Sequence, residues 1–257
     1  MPRSRADRHA PPIHVGTSGW NYPEFEGRLY PPGLPQARRL EFYAGVFGAV
    51  ELNASFYRSF PAKTWEGWAR RTPPGFLWAV KVHRYLTHVR RLEVEPDSAR
   101  RIWADPAPLG EKLAVALVQL PPDLPFDPDR LGRFLDLAAG GGRLALEARH
   151  SSWHAPAAWR CLEARNVAWV VADTAGRYPM SVRVTADFAY VRLHGAEGLY
   201  RGRYGDERLG AWLETIRSWG VETFCFFDNT ASGDAASDAL RMAELAGRRL
   251  PPPFAGT

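Results

Sequence analysis

The chain is poor in cysteine and has no long hydrophobic run. Its 257 residues include two cysteines, Cys161 and Cys225, which are too few for a disulfide scaffold and are not spaced as zinc ligands. We therefore expect two buried thiols in a reducing cytoplasm rather than a disulfide. No apolar run is long enough to span a membrane, so we expect no membrane association. The first twelve residues are polar and basic, which predicts a flexible tail over 1–12 rather than a secretory signal.

The remaining composition is globular and basic. Hydrophobic residues make up 46% of the chain and charged residues 24%, so the chain can bury a sizeable core. The net charge of +5 and pI near 9.4 favour a phosphate-bearing partner, either an anionic small molecule or nucleic acid. Ten tryptophans offer stacking faces as well as core volume.

Eight strand-like segments alternate with helix-like ones along the whole chain. The predicted strands cover 13–17, 50–57, 76–82, 113–120, 144–149, 167–172, 188–193 and 222–227. The predicted helices cover 36–47, 62–71, 97–109, 128–138, 155–165, 207–218 and 231–246. We expect Asn229 or Thr230 to cap the last of these helices.

This alternation predicts an α/β fold, a single-domain (β/α)8 TIM-like barrel over 13–250 with a short tail over 251–257. Residues 174–187 contain Gly176 and Pro179 without helical periodicity, so we expect no regular helix between strands six and seven. An open doubly wound sheet is the alternative. Against it, the glycines at the end of strand one lack the third glycine of a dinucleotide-binding turn.

Polar residues cluster where the predicted strands end. Strand two, VELNASFY over 50–57, places Glu51, Asn53 and Ser55 on one face. In a parallel barrel all the strand ends meet at one mouth, where unpaired charges are costly unless they are used. We therefore predict one site built from strand ends. Its ionisable and amide residues are Glu51, Asn53, Lys81, His83, Gln119, Glu147, Arg149, Asp173, Arg192, His194, Asp228 and Asn229.

Four of these residues are candidates for catalysis. Glu51 and Glu147 are the candidates for proton transfer, because a mouth lined by Trp20 and Trp153 would raise the pKa of a carboxyl group. Lys81 is an anion holder or, if desolvated, a Schiff-base lysine. His194 is a general acid or base, a metal ligand, or a structural histidine.

Other residues are expected to bind substrate. Arg149 and Arg192 suit a bidentate grip on carboxylate or phosphate. The full predicted binding set is Thr17, Trp20, Asn53, Arg149, Trp153, Asp173, Arg192, Asp228 and Asn229. The cations near these acids argue against a metal, and we assign neither a metal nor a cofactor.

Six ordered segments resemble one known family. They are VGTSGWNY (15–22), VELNASFY (50–57), FLWAVK (76–81), LEARHSSW (146–153), AYVRLHG (189–195) and FFDNT (226–230). Together they are similar to the DUF72, or YecE-like, family. The resemblance implies a TIM-like barrel and no settled activity, so it transfers no catalytic residues.

The leading hypothesis is an enzyme with an acid/base site at the mouth, acting on an anionic, hydroxyl-rich substrate such as a sugar phosphate or a nucleotide-like group. The reaction would be hydrolysis or isomerisation, and Glu51→Gln would abolish turnover without unfolding the protein. A nucleic-acid-binding or processing protein that uses a basic, Trp-lined mouth is one alternative. A glycosidase that uses two carboxylates is another.

Overall fold

The computed structural model describes residues 10–248, which form one barrel. Residues 1–9 of the predicted N-terminal tail and the predicted tail over 251–257 lie outside this range, as do residues 249 and 250. Within 10–248, no helix is long and apolar enough to cross a membrane.

Eight parallel strands alternate with seven α-helices among the described residues. The strands are β1 Ile13–Thr17, β2 Ala49–Leu52, β3 Leu77–Lys81, β4 Leu113–Gln119, β5 Arg143–Glu147, β6 Ala168–Asp173, β7 Phe188–Leu193 and β8 Glu222–Phe227. The helices are α1 Arg39–Val46, α2 Ala62–Arg70, α3 Pro96–Ala104, α4 Pro128–Ala138, α5 Pro156–Glu163, α6 Gly205–Ser218 and α7 Asp234–Leu245. The predicted (β/α)8 architecture is confirmed.

The sheet runs β1-β8-β7-β6-β5-β4-β3-β2, and its two end strands meet. Ser18, just after β1, forms a parallel bridge with Glu51 on β2, and the Gly19 N–H donates to the Glu51 carbonyl at 2.7 Å. This contact between β1 and β2 closes the sheet into a barrel, as a (β/α)8 fold requires.

The close approach of β1 and β2 depends on a glycine. A Cβ on Gly16 would lie 2.2 Å from the carbonyl oxygen of Ala49, well inside van der Waals contact. The Tyr43 hydroxyl fills the remaining space, donating to that same carbonyl at 3.0 Å and accepting from the Thr17 N–H at 2.8 Å. The junction therefore has room for a backbone but not for a side chain.

Alternation along each strand divides the apolar core into two parts. One set of side chains, including Ala79, Leu117, Tyr190 and Phe226, fills the barrel interior. The other set, including Trp78 and Val118, packs outward against the helices. This register decides which polar strand-end residues reach the interior.

Several predicted boundaries shift, and three of these shifts have a clear local cause. Strand two ends at Leu52, because Asn53 adopts helical angles (φ −88°, ψ −21°) and begins a short 3₁₀ turn at Ala54–Phe56. The helix predicted over 97–109 ends at Ala104, and a separate 3₁₀ segment follows over Ala107–Lys112, because Pro106 cannot continue the helical hydrogen bonds. The last helix begins at Asp234, after Gly233 with φ 77°, so neither Asn229 nor Thr230 is its N-cap.

Two other expectations hold and a third does not. No helix interrupts residues 174–187 between β6 and β7. Cys161 and Cys225 are both free thiols, but only Cys225 is buried; the expectation that Cys161 is buried is wrong, because it is partly exposed.

Candidate functional site

A ring of polar side chains closes the interior at the carboxyl ends of the strands. Because Ala49, Ala79, Ala145 and Tyr190 point into the barrel, the residues two positions later point inward as well. The inward set at this level is Ser18, Glu51, Lys81, Gln119, Glu147, Arg192, His194 and Asp228. All of them are buried, and they come from seven different strand ends.

Arg192 lies at the centre of this ring and is 1% exposed. Its Nη2 donates to Glu51 Oε1 at 2.8 Å and to Asp228 Oδ2 at 2.9 Å. Its Nη1 donates to Glu147 Oε2 at 2.6 Å. One guanidinium thus joins carboxylates from β2, β5 and the end of β8, a geometry that lysine cannot reproduce. We call Glu51, Glu147, Arg149, Arg192, His194 and Asp228 the mouth network.

Glu51 has no free carboxylate position. It accepts from the Ser18 hydroxyl at 2.6 Å, from the Tyr190 hydroxyl at 2.6 Å and from Arg192 Nε and Nη2, and it is fully buried. Three donors, Ser18 just after β1 and Tyr190 and Arg192 on β7, therefore engage both of its carboxylate oxygens. Such a group fixes Arg192 and has no surface with which to meet a substrate.

Glu147 is held between two arginines. Arg192 binds one oxygen, and Arg149 Nε donates to the other at 2.9 Å. Burial by itself would raise the pKa of Glu147, but the positive charges of Arg192 and Arg149 outweigh it and hold the pKa well below its usual range. The expectation of a raised pKa for Glu147 is therefore wrong, and this carboxyl is ionised at neutral pH.

His194 is fully buried between Arg192 and Asp228. Its Nε2 lies 3.3 Å from Arg192 Nη1, which can only donate, so Nε2 is the acceptor. Its other ring nitrogen, Nδ1, lies 3.0 Å from Asp228 Oδ2. Burial would raise the pKa of Asp228, yet Arg192 and His194 keep it below its usual value.

Lys81 differs from the rest of the ring. Its Nζ lies 4.4 Å from the centre of the Phe56 ring, and within residues 10–248 it makes neither a salt bridge nor a hydrogen bond. Burial, and next the charge of Arg192, lower its pKa from 10.5 to about 8. Lys81 is the cation of this layer that the carboxylates leave without a partner in the described chain.

Aromatic side chains cover the network. Tyr22 donates to the Ser18 carbonyl at 2.8 Å, and burial and the nearby Asp228 raise its pKa to about 12. The guanidinium of Arg149 lies 4.8 Å from the Tyr178 ring centre, and the Tyr200 ring stands edge-on to His194 at 5.7 Å. Glu147 accepts from Nε of Arg149, and the Arg149 side chain also lies beside Tyr200.

The same arrangement of segments occurs in other proteins. The chain matches the family model described as "Protein of unknown function DUF72" over residues 14–255. It belongs to the DUF72 family. It is 29% identical over 268 residues to the UPF0759 protein YunF of Bacillus subtilis (strain 168), covering 91% of this chain and 94% of the relative.

Solved DUF72 structures have the same fold. A DUF72 family protein from Thermotoga maritima superposes with a TM-score of 0.82 at 30% identity, covering 92% of this chain and 99% of that one. A DUF72 family protein from Enterococcus faecalis gives 0.79 at 20% identity, covering 95% and 100%, which is a likeness of fold alone. The family therefore fixes the architecture, and the chemistry must be argued from the residues.

Three predicted binding residues of this DUF72 protein point away from the barrel axis. The Thr17 hydroxyl donates to the Gly19 carbonyl at 2.5 Å, and Asn229 donates to Asp238 Oδ2 at 2.9 Å. Asp173 accepts from the Ala175 N–H at 3.1 Å in the turn after β6. Each lies one position along its strand from an inward-facing residue, so its side chain points to the opposite face. The prediction that these three residues line the mouth is corrected accordingly.

The two predicted tryptophans occupy different places. Trp153 is 1% exposed and donates to the Leu124 carbonyl at 2.8 Å, so it is a core residue and does not line the mouth. Trp20 is half-buried and stands edge-on to Trp68 and Trp78. It borders a cleft of about 510 Å³ beside the mouth, which Asn53 also lines.

A second cavity, of about 300 Å³, lies behind β3. Its walls include Val80 and Val82, which pack toward the helices, and also Lys81. His83, predicted at the strand end, borders this outer cavity. Within residues 10–248, no three His, Cys, Asp or Glu side chains form a group that could hold a metal ion.

Ser18 and Tyr190 were absent from the predicted site, although both bind Glu51. Tyr190 lies two residues before Arg192 in an apolar strand, and its pattern alone indicates core. Spacing along the strand is the sequence signal that could have identified Tyr190, because a residue two positions from a buried arginine lies on the same face of the strand.

Proposed function

We propose that this protein is an enzyme whose acid/base group is Lys81, acting on an anionic, hydroxyl-rich small molecule at the barrel mouth. The observation that carries the proposal is the inward-facing ammonium of Lys81, which has no carboxylate partner in the described chain while the charges around it are paired. A group with a pKa of about 8 exchanges protons readily near neutral pH.

The arginines supply the anion affinity in this proposal. Arg149 has a side chain that is 11% exposed, and its bond to Glu147 uses Nε, so its terminal nitrogens suit a phosphate or carboxylate oxygen. The basic net charge would attract such a ligand. Glu51, Glu147 and Asp228 act as positioning residues that hold Arg192 and shape the field around Lys81.

The reaction class that fits best is isomerisation through proton transfer. A single near-neutral amine beside an anion grip can remove and return a proton next to a carbonyl group. Hydrolysis by a carboxylic acid and glycoside cleavage are less well supported, because Glu147 is ionised and Glu51 is saturated by its donors.

Thermal shift measurements with phosphate-bearing sugars test ligand binding. We expect dihydroxyacetone phosphate or ribose 5-phosphate to raise the melting temperature of the wild type, and Lys81→Met and Arg149→Met to remove the effect. Lys63→Met, at an exposed lysine on α2, is the matched control and should respond like the wild type. Equal shifts in Lys81→Met and the wild type would contradict the proposal.

Proton exchange tests the chemistry. In D₂O the wild type should incorporate deuterium next to the carbonyl of a bound sugar phosphate, and Lys81→Met should not, as followed by proton NMR. Binding of the sugar phosphate without deuterium exchange would mean that the protein binds anions and does not catalyse proton transfer.

A second candidate function is nucleic-acid binding. Tyr57 is 70% exposed and Tyr85 is 45% exposed, and each adjoins an exposed arginine, Arg58 or Arg84, at the carboxyl ends of β2 and β3. Exposed aromatic and basic pairs suit stacked bases and phosphates. Binding to single-stranded oligonucleotides should then weaken steeply with salt and be lost in Tyr57→Ala/Tyr85→Ala, whereas no binding at low salt would exclude it.

We also propose a cytoplasmic location. The two free thiols, Cys161 and Cys225, support it, since an oxidising compartment favours paired cysteines. Fractionation of the native cells tests it.

A further inference from the structure

Lysine is rare in this chain, and one of its few lysines lies in the mouth. Of the 33 Lys and Arg residues only three are lysines, Lys63, Lys81 and Lys112. Lys63 is exposed. The Nζ of Lys112 donates to the carbonyls of Ala69 and Thr72, each at 2.5 Å. Within the described chain only Lys81 combines burial with an amine that no acceptor engages.

Arginine performs the other charge-bearing roles at this mouth. Arg192 and Arg149 neutralise the three carboxylates with fixed, directional N–H groups. A guanidinium stays charged at any physiological pH, whereas a primary amine can become neutral and attack an electrophile. Lys81 therefore gives the polar ring at the barrel mouth an amine that can become neutral and nucleophilic, which an arginine could not provide.

We propose that Lys81 forms an imine with a small carbonyl compound that also carries an anionic group. This inference rests on the proposed function and names its substrate class. The neutral Nζ attacks the carbonyl carbon, forming a C–N bond as the C=O π electrons move to oxygen. Both hydrogens of the amine nitrogen pass in turn to that oxygen, which leaves as water while the nitrogen lone pair forms the C=N bond. The imine nitrogen then takes up a proton from solvent to become the cation. No oxidant or reductant is required.

The surroundings of Lys81 suit each stage of this reaction. Phe56 lies against Nζ at 4.4 Å, and the His88 ring stands edge-on to the same Phe56 at 4.9 Å. Burial and the nearby charge of Lys81 lower the pKa of His88 to about 4, so it adds no competing charge at neutral pH. Lys81 is 9% exposed and also borders the cavity of about 300 Å³ beside β3, so the residue adjoins open space.

The carboxylates stabilise the protonated imine without forming a salt bridge to the Lys81 amine. Glu147, Asp228 and Glu51 act on Lys81 through their field and favour its cationic form, and a protonated imine is also a cation. The lowered pKa of Lys81 supports the same reading, because it makes the neutral amine about two orders of magnitude more abundant at pH 7 than in an ordinary lysine.

Borohydride trapping tests the inference directly. The wild-type protein is incubated with dihydroxyacetone phosphate, or separately with pyruvate, and reduced with sodium borohydride. We expect with at least one probe a single adduct of the probe's mass less one oxygen atom, mapped to the peptide that contains Lys81. Lys63 and Lys112 should carry at least about tenfold less label, because their amines are charged or engaged.

Variants separate the imine from general anion binding. Lys81→Arg keeps the positive charge and cannot form an imine, so it should lose the adduct, as should Lys81→Met, while Lys63→Arg should retain it. Thermal melting checks that each variant is folded. Label spread equally over the three lysines, or retained in Lys81→Arg, would overturn the inference.

The proposed function can survive the failure of this inference. No adduct with either probe, together with a Lys81-dependent thermal shift by sugar phosphates and solvent proton exchange, would overturn the imine and leave Lys81 as an acid/base group. Loss of both the adduct and the Lys81-dependent shift would remove the proposed function as well.

Discussion

Arg192 on β7 donates to both carboxylate oxygens of Glu51 on β2, although two strands, β8 and β1, stand between them in the sheet. The contact spans the barrel interior and lies above the bridge that joins β1 to β2. The Arg192–Glu51 salt bridge therefore couples the closure of the barrel to the pairing of charges in the mouth network.

Glu51→Gln should destabilise the protein rather than only inactivate it. The glutamine amide would turn an NH₂ group toward Arg192, Tyr190 or Ser18, which all donate to Glu51 now. Breaking a buried ion pair of this kind costs about 3 to 5 kcal/mol, or roughly 10 °C of melting temperature. Glu111→Gln at an exposed site is the control and should melt like the wild type. A normally stable but inactive Glu51→Gln protein would restore the catalytic role first expected for Glu51.

Lys81→Met should change how stability depends on pH. The pKa of Lys81 is lowered in the folded protein from 10.5 to about 8, so between these values the unfolded chain binds more protons. The stability of the wild type therefore rises relative to Lys81→Met as pH increases from 8 to 10.5, by up to about 3 kcal/mol. Urea denaturation at pH 7 and pH 10 measures the difference. A constant difference would show that Lys81 is not desolvated.

Two glycine-to-alanine substitutions should act in opposite directions. Gly16→Ala forces a methyl group onto the Ala49 carbonyl and should destabilise the β1–β2 junction by about 2 kcal/mol or more. Gly210→Ala, within α6 with open space around the new Cβ, should stabilise by about 0.5 to 1 kcal/mol. Denaturant titration of both variants provides the test, and equal effects would mean that β1 and β2 are not in such close contact.

Trp153→Phe should affect stability and leave ligand binding unchanged. The substitution removes the donor to the Leu124 carbonyl in a fully buried position and should lower stability by about 1 to 3 kcal/mol. Thermal shifts by the sugar phosphates should keep their wild-type size. A selective loss of those shifts in a stable Trp153→Phe protein would return Trp153 to the mouth.

The sequence by itself determined the architecture of this protein. The alternation of strand-like and helix-like segments predicts the barrel because hydrophobic periodicity is a local property, and the strands β1, β7 and β8 begin and end where the pattern placed them. The glycine and proline of 174–187 indicated the missing helix for the same reason. The gathering of acids and cations at strand ends also followed, since parallel strands end at one mouth.

Tertiary structure decided which of those residues share the interior. The faces of a strand differ by one residue, so Thr17, Asp173 and Asn229 were placed in the mouth although the register turns them outward. The roles within the ring depend on distances between strands far apart in the chain. Arg192 forms salt bridges with Glu51, Glu147 and Asp228, and Lys81 has no salt-bridge partner in the described chain. No local pattern specifies that choice, because it depends on where the folded barrel brings each charge in space.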